Sequence, residues 1–159
     1  MTNARSDSEL MIEVQNLTKY YGAKVAIKDL SFSIPRGEII GFLGPNGAGK
    51  STTMRIIAGY LSASSGSACI AGFDITKKSE EVRRKVGFMP ENNPLHEDMR
   101  VREYLKFRAR IKGLTSQKSR NRAEEVIEQF DLYDARNSII GELSKGFRQR
   151  VGLADALIH

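Results

Sequence analysis

Eight consecutive residues, Gly44-Pro45-Asn46-Gly47-Ala48-Gly49-Lys50-Ser51, fit the spacing G-x-x-x-x-G-K-[ST] in full. The chemistry needs these types. Gly44, Gly47 and Gly49 allow positive φ angles, which turn successive N–H groups inward and make a nest for an anion. Pro45, Asn46 and Ala48 fill the loop between them. Lys50 brings a mobile point charge suited to β- and γ-phosphates, and Ser51 presents a hydroxyl to a Mg²⁺ that bridges those oxygens. Thr52 follows directly and completes the set. An apolar run precedes the loop and a helical pattern follows it, so the positive end of a helix points at the same place. A glycine-rich turn matching by chance would lack that setting. The stretch reads as a nucleoside triphosphate site.

A second corner lies near the C-terminal end of the sequence, in ELSKGFRQRVGLADALIH. Ser144, then a glycine and a basic amphipathic run, reads as the start of a helix, with Val151, Ala154 and Ile158 as its apolar stripe. That stripe is expected to await a strand.

The elements that position these corners follow from patterning. Residues 10–44 alternate and are rich in β-formers: LMIEVQNLTKYYG, VAIKDLSFSIPRG and EIIGFLG, punctuated by Gly22 and by Pro35-Arg36-Gly37. The third run is continuously apolar, as expected of a strand buried on both faces. A helix is expected from about Lys50 to Tyr60, with Met54, Ile57, Ala58 and Leu61 on its apolar side. SASSGSACIAGFDI reads as a loop with a strand or hairpin, and KVGFMPE as a short strand ended by Pro90. From about residue 95 to 135 the pattern turns helical, with Val101, Tyr104, Leu105 and Arg108 on one face. Val126, Ile127 and Phe130 mark a second helix, and Gly113 separates the two. Glu103 stands where the acid of a capping box belongs, yet the matching cap position is Arg100, so Asp98 is the alternative cap. The boundaries expected are a disordered tail at 1–9, a β-rich nucleotide-binding core at 10–91, a helical subdomain at 92–142, and the final corner with its helix at 143–159.

Length and composition bound the class. A chain of 159 residues, 40 % hydrophobic and 28 % charged, has the size of one ordinary domain. No apolar run approaches the roughly 20 residues that span a bilayer, and the polar first ten residues show no signal-peptide pattern. A lone Cys69 fits a reducing compartment. The net charge of +6 admits nucleic acid, an anionic membrane surface or a polyanionic nucleotide as partner. Its basic residues alternate with acids and apolar residues at helical spacing, which favours solvated helix faces and argues against nucleic acid.

Four motifs in order, KYYG (Lys19 to Gly22), GPNGAGKST, VGFMPENNPL and ELSKGFRQR, make residues 11–159 resemble the ATP-binding subunits of ABC transporters. The string MPENNPLHEDMRVREYLKFRARIKG is similar to the exporter branch, which includes ABC-2-type, gliding-motility and multidrug ATPases. The resemblance implies an α/β fold: a P-loop NTPase core whose mixed or parallel sheet carries N-terminal antiparallel strands, plus an α-helical subdomain. It implies ATP and Mg²⁺ as cofactors. Its partners would be a second ATP-binding subunit in a head-to-tail dimer and transmembrane permease subunits that hold the chain at the cytoplasmic face of the membrane.

The resemblance also assigns roles. Tyr21 matches the aromatic that stacks on adenine, with Tyr20 as the alternative and a core position as the ordinary explanation for either. Glu91 stands where the family usually has Gln, touching Mg²⁺ and the attacking water. A carboxylate still offers oxygen to the cation, but it adds negative charge and lacks the amide donor. Ser144, Lys145 and Gly146 match the family signature L-S-G-G-Q, with Lys145 for Gly and Phe147 for Gln. There the hydroxyl, the backbone N–H and a helix N-terminus bind the γ-phosphate of the partner's ATP. Ser144 also serves as an ordinary helix cap, and the two roles are compatible. Two other classes stay open: a soluble ABC-type ATPase acting on ribosomes or DNA, and a non-hydrolytic nucleotide-binding module.

Family members continue into an apolar strand ending Asp-Glu, then a loop with a His; the Glu polarises the attacking water. Neither His96 nor His159 follows a strand, and no such Asp-Glu occurs in this sequence. The expectation is that residues 1–159 are the first two-thirds of an ATPase domain, lacking the C-terminal part of its core, and expose an unpaired strand prone to aggregate. Purified as such, they are expected to bind nucleotide weakly and hydrolyse it little or not at all. A phosphate-release assay checks this, and turnover in the family's ordinary range contradicts it.

Overall fold

Two long alternating runs joined at Gly22 leave the chain little choice but a hairpin. In the computed structural model, which describes residues 10–159, β1 (Leu10–Tyr21) and β2 (Lys24–Pro35) pair antiparallel. The tail expected at residues 1–9 lies outside the described residues. On its other side β1 pairs antiparallel with β3 (Ser65–Ile70), and β3 with the two-residue β4 (Phe73–Asp74), giving the order β2-β1-β3-β4. Ala71 and Gly72 both take positive φ, 48° and 81°, as a two-residue hairpin turn matched to strand twist requires. The described residues divide into two compact units at the Lys85/Val86 junction, and each is considered on its own.

In the first unit, β1 buries Val14 and Leu17. Its register breaks between them, where Asn16 and, on β2, Asp29 adopt left-handed φ of 49° and 51°. The break is filled by polar contacts. The Asn16 amide donates to the Asp29 carboxylate at 2.6 Å, and the Asp29 N–H donates to the Thr18 hydroxyl at 3.0 Å. Behind the phosphate loop runs α1 (Lys50–Ile57). It ends in a Schellman motif, with Gly59 at φ 74°, its N–H bonded to the Ile56 carbonyl and the Tyr60 N–H to the Arg55 carbonyl, both at 2.9 Å. The buried face of α1 is Thr53, Ile56 and Ile57, with Ala58 buried just beyond it; of the expected set Ile57 and Ala58 are buried, Leu61 is half-buried and Met54 stays exposed. Thr53 joins that face for a local reason: its hydroxyl donates to the Gly49 carbonyl at 3.0 Å, so a polar residue enters the core already satisfied. A short helix, α2 (Ser79–Lys85), closes the unit.

The third apolar run departs from expectation. Residues 38–44 form no strand, and Ile39 is 98 % and Leu43 93 % exposed. A strand buried on both faces needs neighbours on both edges, and no described strand pairs with this segment. Every pairing in the sheet is therefore antiparallel, with no parallel pair among the described residues. Likewise residues 86–90, within the run expected as a short strand, form no strand.

The second unit is helical: α3 (Val101–Ile111), α4 (Ser116–Gln129), a 3₁₀ turn (Ile140–Glu142) and α5 (Lys145–Ala156). Val101, Leu105, Ala109, Ala123, Val126, Ile127, Val151, Ala154 and Ile158 share one buried cluster. The stripe on α5 thus packs on the neighbouring helices and does not await a strand. Arg100 is indeed the cap residue of α3, and no side chain caps this helix, Asp98 included. Backbone does the work instead: the Val101 and Arg102 N–H groups donate to the Ser138 and Arg136 carbonyls at 3.2 and 2.9 Å.

One face of α3 carries Tyr104, Arg108 and Lys112 at i, i+4 and i+8. The buried Asp155 of α5 accepts from the Tyr104 hydroxyl at 3.1 Å and from Arg108 Nε at 2.7 Å, while Lys112 Nζ donates to the Val86 carbonyl at 3.2 Å. Burial, then the Asp155 charge, push the Tyr104 phenol above its usual value of 10.0. The folded state therefore keeps this proton where an unfolded tyrosine loses it. Stability is expected to fall as pH rises past the ordinary tyrosine range. Chemical denaturation of the wild type and Tyr104→Phe on either side of that range checks this, because the variant loses that component of the decline.

Candidate functional site

The phosphate loop is built by glycine at each point where the sequence placed one. Gly44, Gly47 and Gly49 take φ of 155°, 85° and 85°. Gly49, the N-cap of α1, is also forced by space: a Cβ there would stand 2.4 Å from the Ala26 carbonyl oxygen of β2. The loop backbone thus lies directly on the hairpin. Pro45 accepts from the Ala48 N–H at 3.2 Å, closing the turn around Asn46 and Gly47. Lys50 Nζ folds back over the loop, donating to the Gly44 and Pro45 carbonyls at 2.6 and 2.7 Å. The ammonium thereby stands at the loop, and Ser51 and Thr52 occupy the first turn of α1, Ser51 exposed. The arrangement can hold a chain of phosphate oxygens by backbone N–H groups, one ammonium and the positive end of a helix.

Tyr20 and Tyr21 end β1 beside the Gly22 turn, and both are about half exposed, so neither is committed to the core. Lys19 Nζ lies 5.4 Å from the Tyr21 ring centroid and donates to the Ser62 carbonyl at 2.7 Å. The Tyr20 N–H donates to Ser64 Oγ at 3.0 Å. Both rings remain open to a flat ligand.

In the second unit, Glu91 is exposed in the irregular segment after Pro90. Ser144 is the N-cap of α5, accepting from the Phe147 N–H at 3.4 Å, and Ser144, Lys145 and Gly146 are all exposed. The cap and the lysine beside it thus stand at the surface. Three arginine contacts that sequence pattern does not announce fix this helix. Arg148 reaches back to the Leu143 and Gly141 carbonyls at 2.6 and 3.4 Å. Arg150 pairs with Asp131 at 2.7 Å and lies 5.3 Å from the Phe147 ring, which stands at the signature's fifth position. Arg108 holds Asp155 near the far end.

Comparison with known proteins now bears on these corners. The model of the ABC transporter family matches residues 27–159. The chain belongs to that family. It is 36 % identical over 149 residues to the linearmycin resistance ATP-binding protein of Bacillus subtilis, covering 94 % of this chain and 48 % of that one. It is 36 % identical over 151 residues to a probable multidrug ABC transporter ATP-binding protein of Escherichia coli, covering 95 % and 26 %. The chain thus spans about half or less of these curated relatives. Among solved structures, an ATP-binding subunit of an ABC transporter matches with a TM-score of 0.83 at 31 % identity, over 93 % of this chain and 62 % of that one. A dimeric ATP-binding cassette bound to ADP and Pi in a post-hydrolysis state matches with a TM-score of 0.81 at 28 % identity, over 93 % and 69 %. The α/β cassette fold with a phosphate loop is therefore the fold of this chain.

The donors available to a cation suit this cassette. Among the described residues no cluster of three or more His, Cys, Asp or Glu could hold a metal alone. Ser51 and Glu91 offer a hydroxyl and a carboxylate, both exposed oxygen donors. Each, taken singly, is an oxygen donor of the kind Mg²⁺ accepts, an ion that keeps waters and phosphates among its ligands.

The two left-handed glycines differ in a way that can be measured. At Gly47 a Cβ meets nothing within 4 Å, and Ala there carries backbone strain of about 1–2 kcal/mol alone. At Gly49 the same strain adds to a collision with the Ala26 carbonyl. Gly49→Ala is expected to lower the denaturation midpoint and nucleotide affinity well beyond Gly47→Ala; equal effects contradict the close approach.

Proposed function

We propose that this chain is the nucleotide-binding part of an ABC exporter ATPase, taking MgATP at Gly44–Thr52. Glu91 and Ser51 provide oxygen ligands to the cation, Tyr21 stacks on adenine, and Lys50 neutralises the β- and γ-phosphates. The Ser144-Lys145-Gly146 corner closes on ATP held by a second ATP-binding subunit, and hydrolysis of ATP by the assembled cassettes powers transport. The observation that carries this reading is the glycine-built loop with the Lys50 ammonium drawn over its carbonyls at the start of a helix. The exposed corner around Ser144 supports the dimer, as does the likeness to a dimeric cassette. Family members named for linearmycin resistance and multidrug transport support export. Permease subunits form the channel; no described helix of this chain is long and apolar enough to cross a membrane. The chain is then held at the cytoplasmic face through them.

In this reading each residue has a mechanical part. The Lys50 ammonium leaves its two carbonyl contacts for phosphate oxygens, exchanging neutral acceptors for anionic ones whose charge it also neutralises. Magnesium, when bound, offsets negative charge on the same oxygens. Lys145 adds a positive charge beside the helix end, directed at the second subunit's ATP.

Titration of the chain with a fluorescent ATP analogue tests the reading. Lys50→Ala removes a charge-assisted contact of about 1.5–3 kcal/mol, so affinity is expected to fall about ten- to a hundredfold. Unchanged affinity overturns the phosphate-loop assignment. Tyr21→Ala is expected to weaken binding more than Tyr20→Ala, and the reverse order moves the adenine platform to Tyr20.

A further inference from the structure

Gly152 sits in the interior of α5, where glycine costs about 1 kcal/mol relative to alanine. It is buried, has no positive φ, and its place is explained by a neighbour. A Cβ at 152 would stand 1.8 Å from Asn93 Nδ2. That amide nitrogen is itself buried and has no hydrogen-bond partner, so it is held in the notch by packing alone. A second notch lies six residues earlier in the same segment. A Cβ at Gly87 would stand 2.0 Å from the Ala156 carbonyl oxygen at the end of α5. Gly87 also lacks a positive φ, so close approach is the reason for glycine there. Lys112 secures the segment's start by its bond to the Val86 carbonyl. Between the two notches stands Glu91.

We propose that Gly87 and Gly152 are positioning residues for Glu91. They seat the segment from Val86 to Asn93 along the helix that begins at Ser144, so that the Glu91 carboxylate and the Ser144 corner belong to one rigid piece. The inference rests on the reading of Glu91 as a ligand of the nucleotide's cation. The two notches differ in stiffness. At Gly87 the obstruction is backbone, which cannot turn aside. At Gly152 it is a side-chain amide, which can rotate away at the cost of its seat.

The readout is nucleotide affinity of the full chain measured with Mg²⁺ and again with EDTA, alongside thermal denaturation. Glu91→Ala serves as the reference and is expected to weaken binding with Mg²⁺ only. Gly87→Ala is expected to do the same by about tenfold, the scale on which groups that orient a metal ligand act. Affinity in EDTA should stay unchanged, which general loosening of the fold would not produce. Gly152→Ala is expected to give a smaller loss, and adding Asn93→Gly should return it to within about twofold, because the reciprocal swap refills the notch. That pair decides the matter if Gly87→Ala does not fold. Should Glu91→Ala weaken Mg²⁺-dependent binding while the glycine variants do not, the positioning role is overturned and the Glu91 reading stands. Should Glu91→Ala leave Mg²⁺-dependent binding intact, the cation reading itself fails and the inference falls with it.

Discussion

A phosphate-binding loop must satisfy two opposing demands: its backbone has to be rigid, yet its N–H groups must stay free to point into the nest where the anion sits. Here both are met by one contact, the approach of Gly49 to the Ala26 carbonyl of β2. With no side chain at 49, the first turn of α1 lies against the hairpin, and the loop between Gly44 and Gly49 is held from its C-terminal end. The hairpin in turn needs the polar repair at Asn16, Thr18 and Asp29 to absorb its register break. The chain of dependence runs from a bulge in β1, through the placement of β2, to the orientation of a helix dipole. Each link is a backbone position, so side-chain chemistry at the site, chiefly Lys50 and Ser51, is carried on a scaffold whose geometry is set by main-chain packing.

The same logic governs the helical unit with different parts. The N-terminus of α3 obtains its hydrogen-bond acceptors from the Arg136 and Ser138 carbonyls, and so cannot form its full first turn until the chain returns from residue 135 onward. The Asp155 contacts join α3 to α5 across some fifty residues. Because Asp155 is buried and Arg108 only partly exposed, losing one partner would leave the other charge poorly solvated, which is costlier than the net value of the pair. These long-range contacts hold the helix that starts at Ser144, while the local arginine contacts of Arg148 fix its first residues.

What was legible in the sequence follows from this division between local and distant partners. The phosphate loop was legible because its glycines, lysine and serine work within eight residues. The first hairpin was legible through Gly22, whose chemistry is also local, whereas the turn at Ala71-Gly72 was not singled out and its stretch read only as a loop with a strand or hairpin. The failures share the opposite property. Residues 38–44 look like a central strand by composition, but a strand needs hydrogen-bonded neighbours, and none of the described strands pairs with them. The face of α1 was partly misjudged because Thr53 counts as polar in any pattern, although its hydroxyl is satisfied by its own helix. Arg100 at the cap of α3 looked like an error until distant carbonyls supplied what a side chain did not. Gly87 and Gly152 gave no turn signal at all, since their reason is the proximity of Ala156 and Asn93.

The absence of glycine's partner at one site, and its presence at another, sharpens how Glu91 should be understood. A Gln at this position would offer an amide donor as well as an oxygen; a carboxylate offers oxygen and charge only. The charge is tolerable at the surface, where Glu91 is exposed, and becomes costly as phosphates approach unless a cation lies between. Lys145 stands at the corner whose helix carries the notch for Asn93, two residues beyond Glu91. If the segment and helix move together, as their packing requires, the negative group and the added positive one are displaced as a pair. A chain that substitutes Glu for Gln and Lys for Gly has then kept the net charge of this piece unchanged, while the end that carries Glu91 depends more on a cation to meet its own nucleotide and the end that carries Lys145 meets the second subunit's with added positive charge.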